Sequence, residues 1–198
     1  MEIADAGRTE TIVPIPQTLH SLKLLLRRFG IEYRRWGEGT SKAVNCLARE
    51  LESGECSLVS NEGALLRVIH VVGVDVYFTD AEEGTLKLVE TEQRFRGGRS
   101  RSRQLRTSLG EKQLPGESPE EAAKRAITEE LGLPAEDLIL HPTGGETHTS
   151  ASDSYPGLRS QRHLVYFECD LPRSLFESNG YTERQPDKVT RFDWRAAA

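Results

Sequence analysis

The strongest constraint on this chain lies between Ser118 and Pro134, where a helix is fenced at both ends. Ser118 suits the N-cap, Pro119 suits the first helical position, and Glu121, three residues after the cap, completes a capping box. Gly132 readily takes the left-handed conformation that ends a helix, and Pro134 prevents continuation. Inside, Ala123, Ile127 and Leu131 recur every four residues and give an apolar stripe suited to packing on a sheet. Ala126, Glu129 and Glu130 share a different face. Both glutamates fall in the last turn, where backbone carbonyls already make the field negative and disfavour each carboxylate by about 0.3–1 kcal/mol. A bound cation removes that conflict, and paired carboxylates suit Mg²⁺ or Mn²⁺. A solvated pair at a frayed helix end is the plainer alternative.

Strand texture surrounds this helix. Leu65 to Phe78 is rich in valine, and Leu86 to Thr91 reads as its antiparallel partner after a turn from Asp80 to Gly84. His163 to Cys169 forms a further strand, Tyr181 to Trp194 mixes turn and strand signals, and the Gly/Ser/Thr-rich stretch 143–154 reads as a loop. Strands, a helix, then strands again predict an α/β domain with a mixed sheet over 65–198. Residues 1–64 read as an N-terminal arm, loose up to Pro16, followed by a small helical appendage. Its helices are expected at Gln17–Phe29 and from about Thr40 to Glu52. Neither carries a catalytic constellation, so the appendage is assigned to packing or to a homodimer contact.

Charge is unevenly spread. Six arginines and no acid lie between Arg94 and Arg106, so a net charge of −5 hides −11 on the remainder of the chain. A cationic segment on an acidic body fits gripping phosphates better than coating long duplex DNA. Arg99, Arg101 and Arg103 alternate and in an extended segment project from one face, although Gly97-Gly98 also suits a mobile, solvated basic loop. No apolar run approaches the roughly 18 residues that span a bilayer, and the acidic start lacks a secretion-signal layout. The three cysteines, Cys46, Cys56 and Cys169, form no C-x-x-C pair, which argues against disulfides and zinc. A cytoplasmic location without membrane contact is the expectation.

Residues 111–133 resemble the Nudix box, in which glycine, five residues, glutamate and seven residues precede Arg-Glu-apolar-any-Glu-Glu-any-Gly-apolar. Glu117, Arg125, Ile127, Glu129, Glu130, Gly132 and Leu133 fall in register, as does the run Pro115-Gly116-Glu117-Ser118-Pro119-Glu120-Glu121-Ala122-Ala123. Two positions depart: Glu111 replaces the opening glycine, and Ala126 replaces the glutamate after the arginine. The resemblance implies a Nudix-type mixed β-sheet sandwiched by helices, with a further helix expected after Trp194. It also implies a Mg²⁺- or Mn²⁺-dependent hydrolase of a nucleoside diphosphate linked to another group.

Carried over by position, the resemblance assigns metal binding to Gly110 (through its carbonyl), Glu129, Glu130 and Glu111. Arg125 orients the carboxylates, and Glu117 with Gly132 holds the box together. Glu183, in the late segment Tyr181–Asp187, is the expected further carboxylate that binds metal or activates water, preferred over Asp187. Arg99, Arg101 and Arg103 are expected to hold substrate phosphates or an RNA 5′ end. Glu111 is expected to offset part of the acid lost at Ala126. The alternative is a Nudix-like nucleotide- or RNA-binding module that has lost catalysis.

Overall fold

The computed structural model describes residues 10–81, 84–102 and 106–197. The chain divides into two compact units, one holding residues up to His70 together with Thr147–His163, the other Val71–Glu146 together with Leu164 onward. Among the described residues, no helix is long and apolar enough to cross a membrane.

In the first unit, β1 (Thr11–Val13) precedes α1 (Leu19–Arg28), which starts at Thr18, whose hydroxyl accepts the Ser21 N–H at 3.0 Å. Leu22 and Leu26 are its buried face. α2 (Val44–Glu52) buries Leu47 and Leu51. It begins at Val44 rather than near Thr40 because Ser41 closes a turn instead of capping a helix. The Ser41 hydroxyl donates to the Glu38 carbonyl at 2.7 Å and accepts the Gly37 N–H at 3.1 Å. β1 pairs with β2 (Ser57–Asn61), and β2 with the start of β3 (Ala64–Asp80), both antiparallel. Part of the expected loose arm is therefore strand, too short before Pro14 to show alternation. Tyr155 is buried and anchors its turn, with Trp36 Nε1 donating to the Pro156 carbonyl at 2.9 Å.

In the second unit β3 continues and pairs antiparallel with β4 (Gly84–Phe95) and β6 (Leu109–Lys112). A tight turn after β4 leads into the short β5 (Ser100–Arg101), which folds back on β4. α3 (Pro119–Leu131) has the expected capping box: Glu121 N–H donates to Ser118 Oγ at 3.2 Å and Ser118 N–H to Glu121 Oε2 at 2.7 Å. Gly132 closes it at φ 70°. Its buried Ala122, Ala123, Ile127 and Leu131 share one core with Val72, Val74, Leu88, Leu109 and Phe192, so the α/β expectation holds.

The 143–154 loop expectation is corrected: β7 (Leu140–Ala151) is a strand, paired with β8 (Arg159–Asp170). From His141 to Thr149 every side chain is exposed, so no apolar alternation marks this strand in the sequence. The Tyr181–Trp194 segment resolves into β9 (Tyr181–Arg184) and β10 (Lys188–Ala196), antiparallel to each other, with β10 completing the pairing to β4. Between Arg191 and Phe192 the register against β4 shifts, and Thr91 is the extra residue of a β-bulge.

Candidate active site

Arg125 is the hub of the loop–helix junction. Its Nε and Nη2 donate to the two Glu117 carboxylate oxygens at 2.8 and 3.0 Å, a bidentate pair. Nη2 also donates to the Lys112 carbonyl at 2.7 Å, and Nη1 to Glu129 Oε2 at 3.3 Å. Glu117 in turn accepts the Leu114 N–H at 2.8 Å, and its carbonyl accepts from the Gln113 amide. The Arg125 hydrogen bonds, aided by the Leu114 N–H and opposed by burial, hold the Glu117 carboxyl below the usual carboxylate range; the same partner pushes the guanidinium further up. With its donors engaged this way, Arg125 positions the box and the carboxylate at Glu129.

Glu130 is different. Its Oε1 is sealed from solvent and has no hydrogen-bond partner. Burial, then the charges of Glu183 and Glu111, push its carboxyl up to about 8, with Lys188 opposing and Glu90 adding to the rise. Glu183 is 8 % exposed and sits on β9 rather than in a loop. Gly180 (φ 70°) makes the turn into β9, and Tyr181 locks the strand by donating its hydroxyl to the Leu175 carbonyl at 2.6 Å. The Glu183 carboxylate accepts from the Gln185 amide and lies 3.9 Å from Lys188 Nζ.

The other predicted positions divide. Glu111, on β6, accepts the Lys112 N–H at 2.7 Å and stands 4.0 Å from Arg125. Gly110 pairs with Gly73 across β6 and β3. Ala126 is fully buried. Glu129 stays largely exposed beside Arg125, so the two adjacent glutamates meet different surroundings. Among the described residues no three carboxylate, imidazole or thiol groups form a ready-made metal cluster. The acids converge instead as charges around one sealed oxygen. An orphaned carboxylate oxygen among further acids fits a divalent cation, whose charge would relieve the repulsion.

From Arg94 to Arg101 the basic stretch is a hairpin, β5 pairing back on β4, with its arginine side chains exposed. Phe95 N–H donates to the Arg99 carbonyl at 2.8 Å, and the Arg99 and Arg101 guanidiniums lie 4.9 and 5.3 Å from the Phe95 ring centroid. A cavity of about 430 Å³ beside the hairpin is lined by Arg94, Phe95, Arg96 and Lys188 among others. Arg103 lies outside the described residues.

Three residues escaped the sequence reading: Glu90, Gln93 and Thr190, all buried on the sheet. Gln93 Nε2 donates to Glu90 Oε2 at 3.2 Å while Arg101 Nε donates to Gln93 Oε1 at 2.8 Å, joining the basic hairpin to a buried acid. Little in the sequence singles them out, since Glu90 and Gln93 stand within the polar run Glu90–Arg94 of β4.

A family model described as NUDIX domain matches residues 69–195. Among solved structures, the chain is similar to a C. elegans Ap4A hydrolase, 18 % identical, covering 64 % of this chain and 79 % of that one at a TM-score of 0.39. It is also similar to the E. coli dihydroneopterin triphosphate pyrophosphohydrolase, 18 % identical, covering 63 % of this chain and 78 % of that one at a TM-score of 0.38. No curated protein matches.

Proposed function

Because this chain belongs to the NUDIX domain family, we propose that it is a divalent-metal-dependent hydrolase of a nucleoside diphosphate linked to another group. The observation that carries this reading is Glu130, whose sealed, unpartnered Oε1 faces the charges of Glu183 and Glu111. A carboxylate in that setting is costly unless a cation joins it. Mg²⁺ or Mn²⁺ would be held by Glu130 with Glu129, Glu111 and the Gly110 carbonyl. When bound, such an ion polarises phosphate oxygens and makes water a stronger acid.

The chain's own groups do the rest. Glu183, adjoining Glu130 and buried, accepts the proton of the attacking water. Arg125 keeps the Glu129 carboxylate and the Glu117 junction in place. Arg99 and Arg101, stacked on Phe95, present cationic edges to the substrate phosphates, a role expected also of Arg103. A second reading, a nucleotide- or RNA-binding module without turnover, is favoured by one observation: the fully buried side chain at the box's missing acid is only a methyl group, Ala126.

One experiment separates the two readings. Mn²⁺ is titrated into the full chain by calorimetry, and the loaded protein is given ADP-ribose, NADH, dinucleoside polyphosphates, capped RNA and oxidised nucleotides. Saturable Mn²⁺ binding with release of nucleotide or phosphate from at least one substrate is expected. Binding of a substrate without turnover selects the second reading, and absence of Mn²⁺ binding overturns metal dependence.

A further inference from the structure

The registers across β9, β10, β4 and β5 create two rows on one face of the sheet. Glu183, Thr190, Gln93 and Arg101 stand directly opposite one another, strand to strand. Directly paired residues share a face, so the four side chains form a continuous polar row. The neighbouring row is Tyr181, Phe192 and Glu90. Phe192 and Tyr181 belong to the core that α3 packs on with Ala123 and Ile127, which places Glu90 on the α3 side as well. Leu88, two residues earlier on β4, is fully buried in the same core.

Glu90 and Gln93 are three apart, and plain alternation sends such residues to opposite faces. The extra residue Thr91 restores them to one side. The bulge therefore has a specific result: it brings an acid into a row otherwise made of aromatics. The orientation of its partner is fixed too. A guanidinium only donates, so the Gln93 oxygen faces Arg101 and its NH₂ faces Glu90. Beside this pair, Thr190 is 1 % exposed and its Oγ1 has no hydrogen-bond partner, a second oxygen unpartnered and sealed like Glu130 Oε1. Two orphaned oxygens and two buried acids, Glu90 and Glu183, on the α3-facing side of the sheet are a donor set for a cation, not for a hydrophobic core.

We propose that Glu90, turned toward α3 by the Thr91 bulge, supplies from the sheet the cation-binding carboxylate that the helix lacks at Ala126. The proposal rests on the reading that this site takes a divalent cation. It makes Gln93 a positioning residue: held by Arg101, it fixes Glu90, and so ties the phosphate-facing hairpin to the cation site. A purely structural Glu90 would leave Mn²⁺ binding unchanged when its charge is removed, while its hydrogen bond with Gln93 still counted toward folding.

The test uses the full chain and Mn²⁺ alone. Glu90→Gln keeps shape and hydrogen bonding but removes the charge, and should weaken Mn²⁺ binding in calorimetry by roughly tenfold. Adding Ala126→Glu to that variant should restore affinity to within about threefold of the parent. Melting curves in EDTA report folding separately. Equal Mn²⁺ affinity in parent and Glu90→Gln, or a loss that Ala126→Glu leaves uncorrected, overturns the proposal. A parent that binds no Mn²⁺ overturns the metal reading itself, a distinguishable failure. If Glu90→Gln does not fold, the parent still decides: Mn²⁺ at substoichiometric amounts should broaden the Gln93 side-chain NH₂ signals in ¹⁵N spectra. Sharp Gln93 signals in the Mn²⁺-loaded chain overturn it.

Discussion

Each of the two units withdraws a glutamate oxygen from solvent, and the two are treated in opposite ways. In the first unit Glu50, on α2, is 5 % exposed and has a cation on each oxygen: Lys42 Nζ at 2.7 Å and Arg67 Nη2 at 2.5 Å. Arg67 is itself buried and lies 5.2 Å from the Tyr155 ring centroid. In the second unit Glu130 has an oxygen without a hydrogen-bond partner and acidic neighbours, and Lys188, which opposes them, lies 3.9 Å from the Glu183 carboxylate. Under the proposed cation reading, the contrast separates a charge that the fold has neutralised from one left for something outside the chain. A buried ion pair is weak evidence of stability, but removing one partner of it is costly.

The comparison breaks or stands on two substitutions measured by urea denaturation in EDTA. Arg67→Met removes the buried cation from Glu50 Oε2, leaves the half-exposed Lys42 on the other oxygen, and should cost about 3 kcal/mol. Glu130→Gln replaces a carboxyl that burial and acidic neighbours push up to about 8 in the metal-free chain, so stability should hold or rise. Equal losses in the two variants would make Glu130 a structural acid like Glu50, and the cation reading would lose its main support.

A smaller effect sharpens the account of Arg125. Glu117→Gln removes one side of the bidentate pair and should cost about 1.5–3 kcal/mol near pH 7, the scale of a hydrogen bond to a charged group. The sign of its pH dependence follows from a carboxyl held below its ordinary value in the folded chain. Stability from such a group is fully present above the unfolded carboxylate value and is lost as pH falls through the lower folded one. Parent and variant should therefore differ at pH 7 and converge in acid. A gap that stays constant down to pH 3 would mean that Glu117 acts by shape and not by charge.

The helix was legible because its signals are local. The Ser118 cap, the Glu121 reciprocal bond and the Gly132 stop each act within a turn, and all appear as the sequence implies. Glu183 was legible only as a loop charge, because a short strand such as Tyr181–Arg184 leaves too few residues for alternation to show. β7 was illegible for a different reason: a strand exposed on both faces has no apolar period, and Gly144-Gly145 reads as a breaker. Glu90 and Gln93 were hidden by the bulge at Thr91, which breaks the rule that positions three apart face opposite sides. Their convergence with Thr190 and Glu183 depends on pairing between strands far apart in sequence. Composition offered the basic stretch but not its order, which comes from the stacking of Arg99 and Arg101 on Phe95.

The smallest expected effect concerns the acid at the opening of the box. Glu111 is already engaged before any cation arrives, since its Oε1 accepts the Lys112 N–H at 2.7 Å and stands 4.0 Å from Arg125. Its side chain is 32 % exposed, so solvent screens what remains. It nevertheless adds to the repulsion at Glu130, and a cation placed there would feel the same charge with opposite sign. Glu111→Gly should therefore weaken Mn²⁺ binding by only about two- to threefold, well under 1 kcal/mol. If Glu111 offsets part of the acid absent at Ala126, the loss should shrink further once Ala126→Glu is present, because the restored carboxylate carries the charge more directly. Calorimetry across the four chains of this cycle measures that coupling. Strictly additive changes would show that Glu111 does not stand in for the missing acid. A tenfold loss from Glu111→Gly alone would move the burden of cation binding from the sheet to the mouth of the box.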